Sequence, residues 1–287
     1  MSWQAIWRKL AHYGYVHVTY GTYLTRDGRV IQIADWDVAV PKILRRLSRN
    51  WGYSPWNPEF RSGLIQFERA DHLIRPGDQC RGRLTARVRR ALRGNIPFNP
   101  YPFQWVEVEK WPHPEQLRIW RDRLVSGQQF SYHGRWIFRS IVNTGVLHTT
   151  PDGTWPIYQR LPSTTMIGTY PVTVDTQEYR QLAPKMRAVV AGRYVYWQHY
   201  IAHNVRYVNY FYDGRAIHFY PRKGYGWPQS AGCVEEPLAE AKKVYGLLNY
   251  GDLVSVVGHY RITATTGHSL TRRTLLAMIQ KSIANTA

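Results

Sequence analysis

The sequence predicts an α+β chain in which a small three-helix unit precedes a β-rich sandwich or open barrel. Three observations predict it. Between Val40 and Leu92 the apolar residues recur at helical spacing, whereas from Trp105 onward they fall in short β-branched and aromatic runs broken by Gly, Pro and Asp. Between the two lies Asn95 to Pro102, where Pro97, Pro100 and Pro102 stiffen an extended backbone and remove donors, as a linker does. At 287 residues the chain also exceeds the size at which a single core usually stops growing, so more than one domain is expected.

Taken in order, Trp3, Ile6, Trp7 and Leu10 share one helical face. Tyr15, His17, Tyr20 and Tyr23 then alternate, as do Val30, Ile31 and Ile33, with Asp27-Gly28 as the hairpin signal between them. Residues 1–38 are expected to form a small N-terminal β element of unknown role. Val40, Ile43, Leu44 and Leu47 mark the next helix, with Pro41 allowed in its first turn. Leu64, Ile65, Phe67, Ala70 and Leu73 mark a second, ended by Pro76-Gly77-Asp78, and Thr85 is the N-cap of a third carrying Val88, Ala91 and Leu92. Strands are expected around Trp105–Val108, Leu117–Trp120, Trp136–Phe138, Ile141–Val142, Tyr194–Trp197 and Tyr207–Tyr212. A helix over Pro237–Leu248 and a closing strand at Leu253–Val257 follow. Leu270, Leu275, Met278, Ile279 and Ile283 predict a C-terminal helix after Ser269.

Composition narrows the function. Lys and Arg number 38 against 19 Asp and Glu, and a formal charge of +19 draws a protein toward polyanions. Nucleic acid is one such partner, the anionic polymers and peptide carboxylates of a bacterial wall are another, and a plainly solvated basic surface is the third reading. The 12 Trp and 21 Tyr would suit single-stranded nucleic acid, but no nucleic-acid motif accompanies them, so none is expected as a partner. The 44% of hydrophobic residues suffices for a core, and no segment approaches the about 20 apolar residues of a membrane-spanning helix, so the chain reads as soluble. Arg8 and Lys9 are followed by no apolar run, and no signal peptide is legible. Two cysteines are too few for a disulfide scaffold, and neither has the spacing of a metal-ligand pair. His199 and His203 stand four apart, but Tyr200 occupies the place of the glutamate that a zinc helix needs. No metal and no cofactor is expected.

The chemistry therefore turns on a single thiol. Cys233 ends Ser230-Ala231-Gly232-Cys233, and His218 closes the apolar run Ala216-Ile217 upstream. An imidazole brought beside a thiol makes thiolate available near neutral pH, and Gly232 lets backbone approach the nucleophile closely enough to build an oxyanion hole. On pattern alone an inert core thiol fits Cys233 equally well, and a buried structural thiol is the reading for Cys80.

Three ordered motifs resemble the L,D-transpeptidase (YkuD-type) catalytic domain. WVEVEKWPHPEQLRIWRDRL is similar to its opening hairpin. IVNTGVLHTTPDGTWPI is similar to its valine-x-threonine-glycine strand and threonine-proline-x-glycine-threonine turn, through Thr150, Pro151, Gly153 and Thr154. AIHFYPRKGYGWPQSAGCVEEPLAEAKKVYGLLNYGDLVSVVG resembles its histidine, loop, serine-x-glycine-cysteine, helix and strand signature. The resemblance implies a transferase whose Cys233 attacks a stem tetrapeptide of peptidoglycan, releases D-alanine and passes the acyl group to an amine. His218 would hold the thiolate, Ser230 would brace the loop or bond the histidine, and the amides of Gly232 and Cys233 would hold the oxyanion. The YVYWQHYIAHNVRYVNY segment is expected as a lid. Ala231, Glu235 and Phe219 depart from the family pattern. Glu235 stands where an arginine is common, so Arg222 and Lys223 are expected to supply positive charge, with Tyr225 and Trp227 as further substrate contacts.

PKILRRLSRNWGY, RSGLIQFERADHL and CRGRLTARVRRAL resemble the three helices of a peptidoglycan-binding domain, with Phe67, Gly77, Gly82 and Thr85 at recognisable positions and Gly63-Leu64 replacing the usual alanine-valine pair. The expected division is 1–38, a wall-binding-like unit at 39–95, a catalytic domain at 103–258 and an extension at 259–287. Stem peptides, glycan and anionic wall polymers are the expected partners, in the cell wall or a spore envelope. An L,D-carboxypeptidase, or a decayed scaffold that only binds wall, is the alternative.

Overall fold

The computed structural model describes residues 1–122, 133–173, 187–190 and 193–258. The expected C-terminal helix lies outside them. The chain opens with α1 (Trp3–His12), whose N-terminus is capped by the Ser2 side chain and which buries Ile6, Trp7 and Leu10 as their spacing predicts. The hairpin of β1 (Val18–Leu24) and β2 (Val30–Trp36) closes through Thr25 and Arg29, around the Asp27-Gly28 signal. Next come α2 (Lys42–Ser48), with Pro41 at its N-cap, α3 (Pro58–Ala70) and α4 (Ala86–Ala91), where Thr85 Oγ1 accepts from the Val88 amide at 3.2 Å. Helix α3 begins well before its apolar spacing, because Asn57 accepts from the amides of Glu59 and Phe60 and Pro58 fits the first turn.

One hydrophobic cluster joins all of these. Trp7 stacks on Phe60 with centroids 4.9 Å apart, and Tyr15, Leu44, Phe67, Val88 and Leu92 fill the rest. Each such side chain contributes about 1.5–3 kcal/mol by leaving water. At Gly63 a Cβ would lie 2.4 Å from the Tyr15 carbonyl oxygen, which leaves room for glycine alone. Phe103, Trp105 and Leu253 belong to the same cluster, so the helices and the first large sheet share apolar contacts.

That sheet contains β3 (Gln104–Glu109), β4 (Gln116–Arg121), β5 (Arg135–Ile141), β6 (Gly153–Pro156) and β12 (Leu253–Val257), in the order β5-β4-β3-β12-β6, with β3 and β12 parallel. A second five-stranded sheet contains β7 (Gln159–Thr173), β8 (Arg187–Val190), β9 (Arg193–Tyr212), β10 (Arg215–Phe219) and β11 (Val234–Glu236). Its path runs β11-β10-β9-β7, and β8 pairs with β9. Val106, Val108, Leu117 and Ile119 from the first sheet meet Phe211, Ile217 and Val234 from the second, and α5 (Leu238–Leu247) adds Val244. The fold is thus mixed α+β with a β-rich second part, and among the described residues no sheet closes into a barrel.

Two expectations are corrected. The runs at Tyr194–Trp197 and Tyr207–Tyr212 belong to one strand, β9, paired along its length with β7. Strand β7 is absent from the sequence reading, and it contains Pro162 and Pro171 yet lies at the end of the sheet path, where a missing donor is tolerated. Among the described residues no helix is long and apolar enough to cross a membrane.

Candidate active site

Strands β10 and β11 run parallel, with Ile217 opposite Val234 and His218 opposite Glu235. Side chains alternate across a sheet. Ile217 and Val234 therefore enter the core between the sheets, while Ala216, His218, Cys233 and Glu235 share the other face. On that face Cys233, 9% exposed, packs with Met166, Val205, Val208 and Ala216, and Tyr200 and Tyr210 close around them. The segment expected as a lid is part of β9, which supplies Tyr200 to this cover.

His218 Nδ1 lies 2.9 Å from the Phe219 carbonyl oxygen. A carbonyl only accepts, so Nδ1 carries the hydrogen and the neutral ring keeps its lone pair on Nε2. Burial pushes the Cys233 thiol up to about 12; the Ala216 backbone and Arg215 pull it down, and Glu235 adds to the rise. Burial likewise lowers His218, partly offset by Glu235. Burial thus favours the neutral form of both groups, the thiol and the imidazole.

The loop before Cys233 is held rigidly. Ser230 Oγ donates to the Cys233 carbonyl at 2.6 Å and accepts from the Gly232 amide at 3.0 Å. Ser230 thus braces the loop, and the Gly232 amide expected at an oxyanion is committed to it. Gly232 has φ +140°, and a Cβ there would come within 2.9 Å of the Thr149 carbonyl oxygen. A neighbouring loop cradles this one. Thr150 Oγ1 donates to the Gly232 carbonyl at 2.8 Å, the Val146 amide donates to Ser230 at 3.0 Å, and Arg215 Nε donates to Thr149 at 2.6 Å. Beneath it the Glu115 carboxylate, pushed up to about 7 by burial, accepts from the amide and hydroxyl of Thr144 at 2.5 and 2.7 Å.

Arg222 does not offer a spare charge. Its Nε and Nη2 meet Glu235 at 2.8 and 2.7 Å, a two-pronged ion pair, and Nη2 also donates to the Gln229 carbonyl. Tyr225 donates to the Tyr220 carbonyl at 2.5 Å, and burial followed by Glu235 raises its pKa, which puts it near the same pair. Lys223 and Trp227 are exposed on the loop. His203 Nδ1 lies 3.4 Å from Thr165 Oγ1, and among the described residues no three His, Cys, Asp or Glu assemble as a metal-binding group.

Residues 115–256 match the family model of the YkuD L,D-transpeptidase catalytic domain. The chain carries an L,D-transpeptidase domain of the YkuD family. A comparison with curated proteins finds no match. Among solved structures, an L,D-transpeptidase from Stackebrandtia nassauensis is 17% identical over 90% of this chain and 91% of its own, with a TM-score of 0.33. L,D-transpeptidase 3 from Mycobacterium tuberculosis is 14% identical over 54% of this chain and 61% of its own, with a TM-score of 0.37. The catalytic domain of the E. faecium L,D-transpeptidase, in a structure acylated by ertapenem, is 17% identical over 54% and 96%, with a TM-score of 0.33.

Within the L,D-transpeptidase domain, several supporting groups escaped sequence reasoning. Glu115 and Thr144 hold the cradle, the Phe219 carbonyl sets the imidazole, and Glu235 is the partner of Arg222. Only Glu235 carried a signal, as a departure from the family pattern.

Proposed function

We propose that this chain is a peptidoglycan acyltransferase of the L,D-transpeptidase type, with Cys233 as nucleophile and His218 as its base. One observation carries the reading: His218 keeps Nε2 unprotonated through its bond to Phe219 and lies on the same sheet face as Cys233, one strand away. Because both groups start neutral, proton transfer accompanies attack. Sulfur bonds to the stem-peptide carbonyl carbon as Nε2 takes the thiol proton. The imidazolium then protonates the D-alanine nitrogen as that C–N bond breaks, leaving a thioester on Cys233. An acceptor amine attacks, gives its proton to His218 and expels sulfur, which recovers a proton. The Cys233 amide is the oxyanion donor in this scheme, since that of Gly232 is engaged. Glu235 favours the imidazolium formed on the way. Met166 and Tyr200 must yield for substrate to reach the sulfur. Residues 39–95 would hold the enzyme on the wall outside the membrane, with the +19 charge favouring its anionic polymers.

The burial of the sulfur favours a second reading, a wall-binding protein on a decayed scaffold. Intact-mass measurement separates the two. With a tetrapeptide stem ending in D-alanine, the enzyme gains the mass of a tripeptide acyl group on Cys233 and releases D-alanine. An unmodified Cys233, or equal D-alanine release by Cys233→Ala, ends the catalytic reading.

A further inference from the structure

Arg160 on β7 pairs in register with Asn209 on β9, which in turn pairs with Ile217. Ile217 points into the core between the sheets, so Arg160 lies on the face opposite Cys233. Here a cavity of about 170 Å³ opens between α3, the α5–β12 turn and β7. Arg69, Arg160, Tyr101, Tyr245, Asn249 and Tyr250 line it. Arg160 donates through Nε to Asn209 Oδ1 at 2.8 Å and through Nη2 to the Tyr245 carbonyl, and its guanidinium lies 4.4 Å over the Tyr245 ring. Arg69 donates through Nη1 to the Ile74 carbonyl at 3.1 Å. These hydrogen-bond partners are neutral, and among the described residues neither arginine is in an ion pair.

Two guanidiniums lining one cavity without a carboxylate in an ion pair is a costly arrangement, because burial strips solvent from Arg160 and like charges repel. Burial lowers the Arg160 pKa and Arg69 lowers it further. Asp252 pulls the other way, but among the described residues it forms no ion pair with Arg160. Its Oδ2 accepts from Gln104 Nε2 at 2.9 Å and the Asn249 amide at 2.7 Å, and burial pushes it up to about 8.

We propose that this cavity binds a compact oxyanion, a phosphate or carboxylate group, bridging Arg69 of α3 and Arg160 of β7. Guanidinium forks match the planar edges of both groups, and Tyr101 and Tyr245 wall the space laterally. The volume is several times the about 30 Å³ share of one water, enough for such a group with a few attached atoms. The site is independent of the thiol chemistry, so binding persists in Cys233→Ala.

The test uses the full chain at constant ionic strength, with chloride as the control salt. Inorganic phosphate, dimethyl phosphate and acetate are titrated by calorimetry. At least one saturates with the wild type, and Arg69→Gln weakens it about tenfold or more, as expected for loss of a charged hydrogen bond. Arg69→Lys recovers part of the loss. Dimethyl phosphate binding as tightly as phosphate identifies a phosphodiester, phosphate alone a monoester or free phosphate, and acetate a carboxylate. Arg160→Gln also removes the contacts to Asn209 and Tyr245, so Arg69 is the deciding position. No saturable binding above chloride, or unchanged affinity in Arg69→Gln, overturns the proposal.

Discussion

Cys80 and Cys233 are both free and both buried, yet their surroundings differ. Cys80 packs with Ile65, Ile74 and Tyr250, and burial raises its thiol with Glu68 adding to the rise. Cys233 is raised in the same way, with the Ala216 backbone and Arg215 opposing the rise as the Gly82 backbone and Arg61 do at Cys80, but its sheet face also carries His218. Depth alone therefore does not separate a structural thiol from a candidate nucleophile. A carboxylate penalises a second negative charge at both, Glu68 at Cys80 and Glu235 at Cys233, and what separates them is His218, on the sheet face of Cys233 with a free lone pair on Nε2.

The largest break in this comparison comes from removing each sulfur. Cys233→Ala is expected to cut D-alanine release by at least about 1,000-fold, whereas Cys80→Ala leaves it within about twofold and costs on the order of 1 kcal/mol of stability. Comparable loss of release in both would erase the distinction between the sites. Next, His218→Gln removes the base while keeping a polar side chain, and kcat is expected to fall about 10²–10⁴-fold. A wild-type rate would show that another group takes the proton. Third, Arg222→Gln leaves Glu235 buried without its cation, and denaturant unfolding should register a loss of roughly 3 kcal/mol. A change near zero would mean that the pair is solvated and remote from the site.

The smallest effect concerns pH. Glu236, next to Glu235, is pushed up to about 8 by burial, with Glu240 adding to the rise. Its protonated form is favoured in the fold, so the stability it contributes is full below pH 4.5 and is lost as pH rises toward 8. Glu236→Gln cannot ionise. It should match the wild type near pH 4.5 and exceed it by on the order of 1–3 kcal/mol at pH 9. The opposite ordering would mean that the wild-type carboxylate is ionised and satisfied.

Legibility followed the range of the interactions. The helices α1, α2 and α4, the Asp27-Gly28 turn and strands β3, β4 and β12 were readable because spacing, caps and turns act over a few residues. Strand β7 was not, since whether Pro162 and Pro171 are tolerated depends on its position at the sheet end. In the candidate site, Cys233, His218 and Ser230 were singled out through the ordered motifs. The partner of Arg222, the commitment of the Gly232 amide and the burial that raises the thiol were not, because each depends on how the loop folds and packs.

By itself the amino-acid order determined the mixed architecture and the family, and it named the candidate reactive groups, all of which reside in local pattern and chemical type. Tertiary structure decided which face of the sheet each group occupies and how much water reaches it. It also decided which charges meet, pairing Arg222 with Glu235 and leaving Arg69 and Arg160 without a counter-ion among the described residues. Solvation and Coulomb forces act through space, so they are set only when distant segments pack.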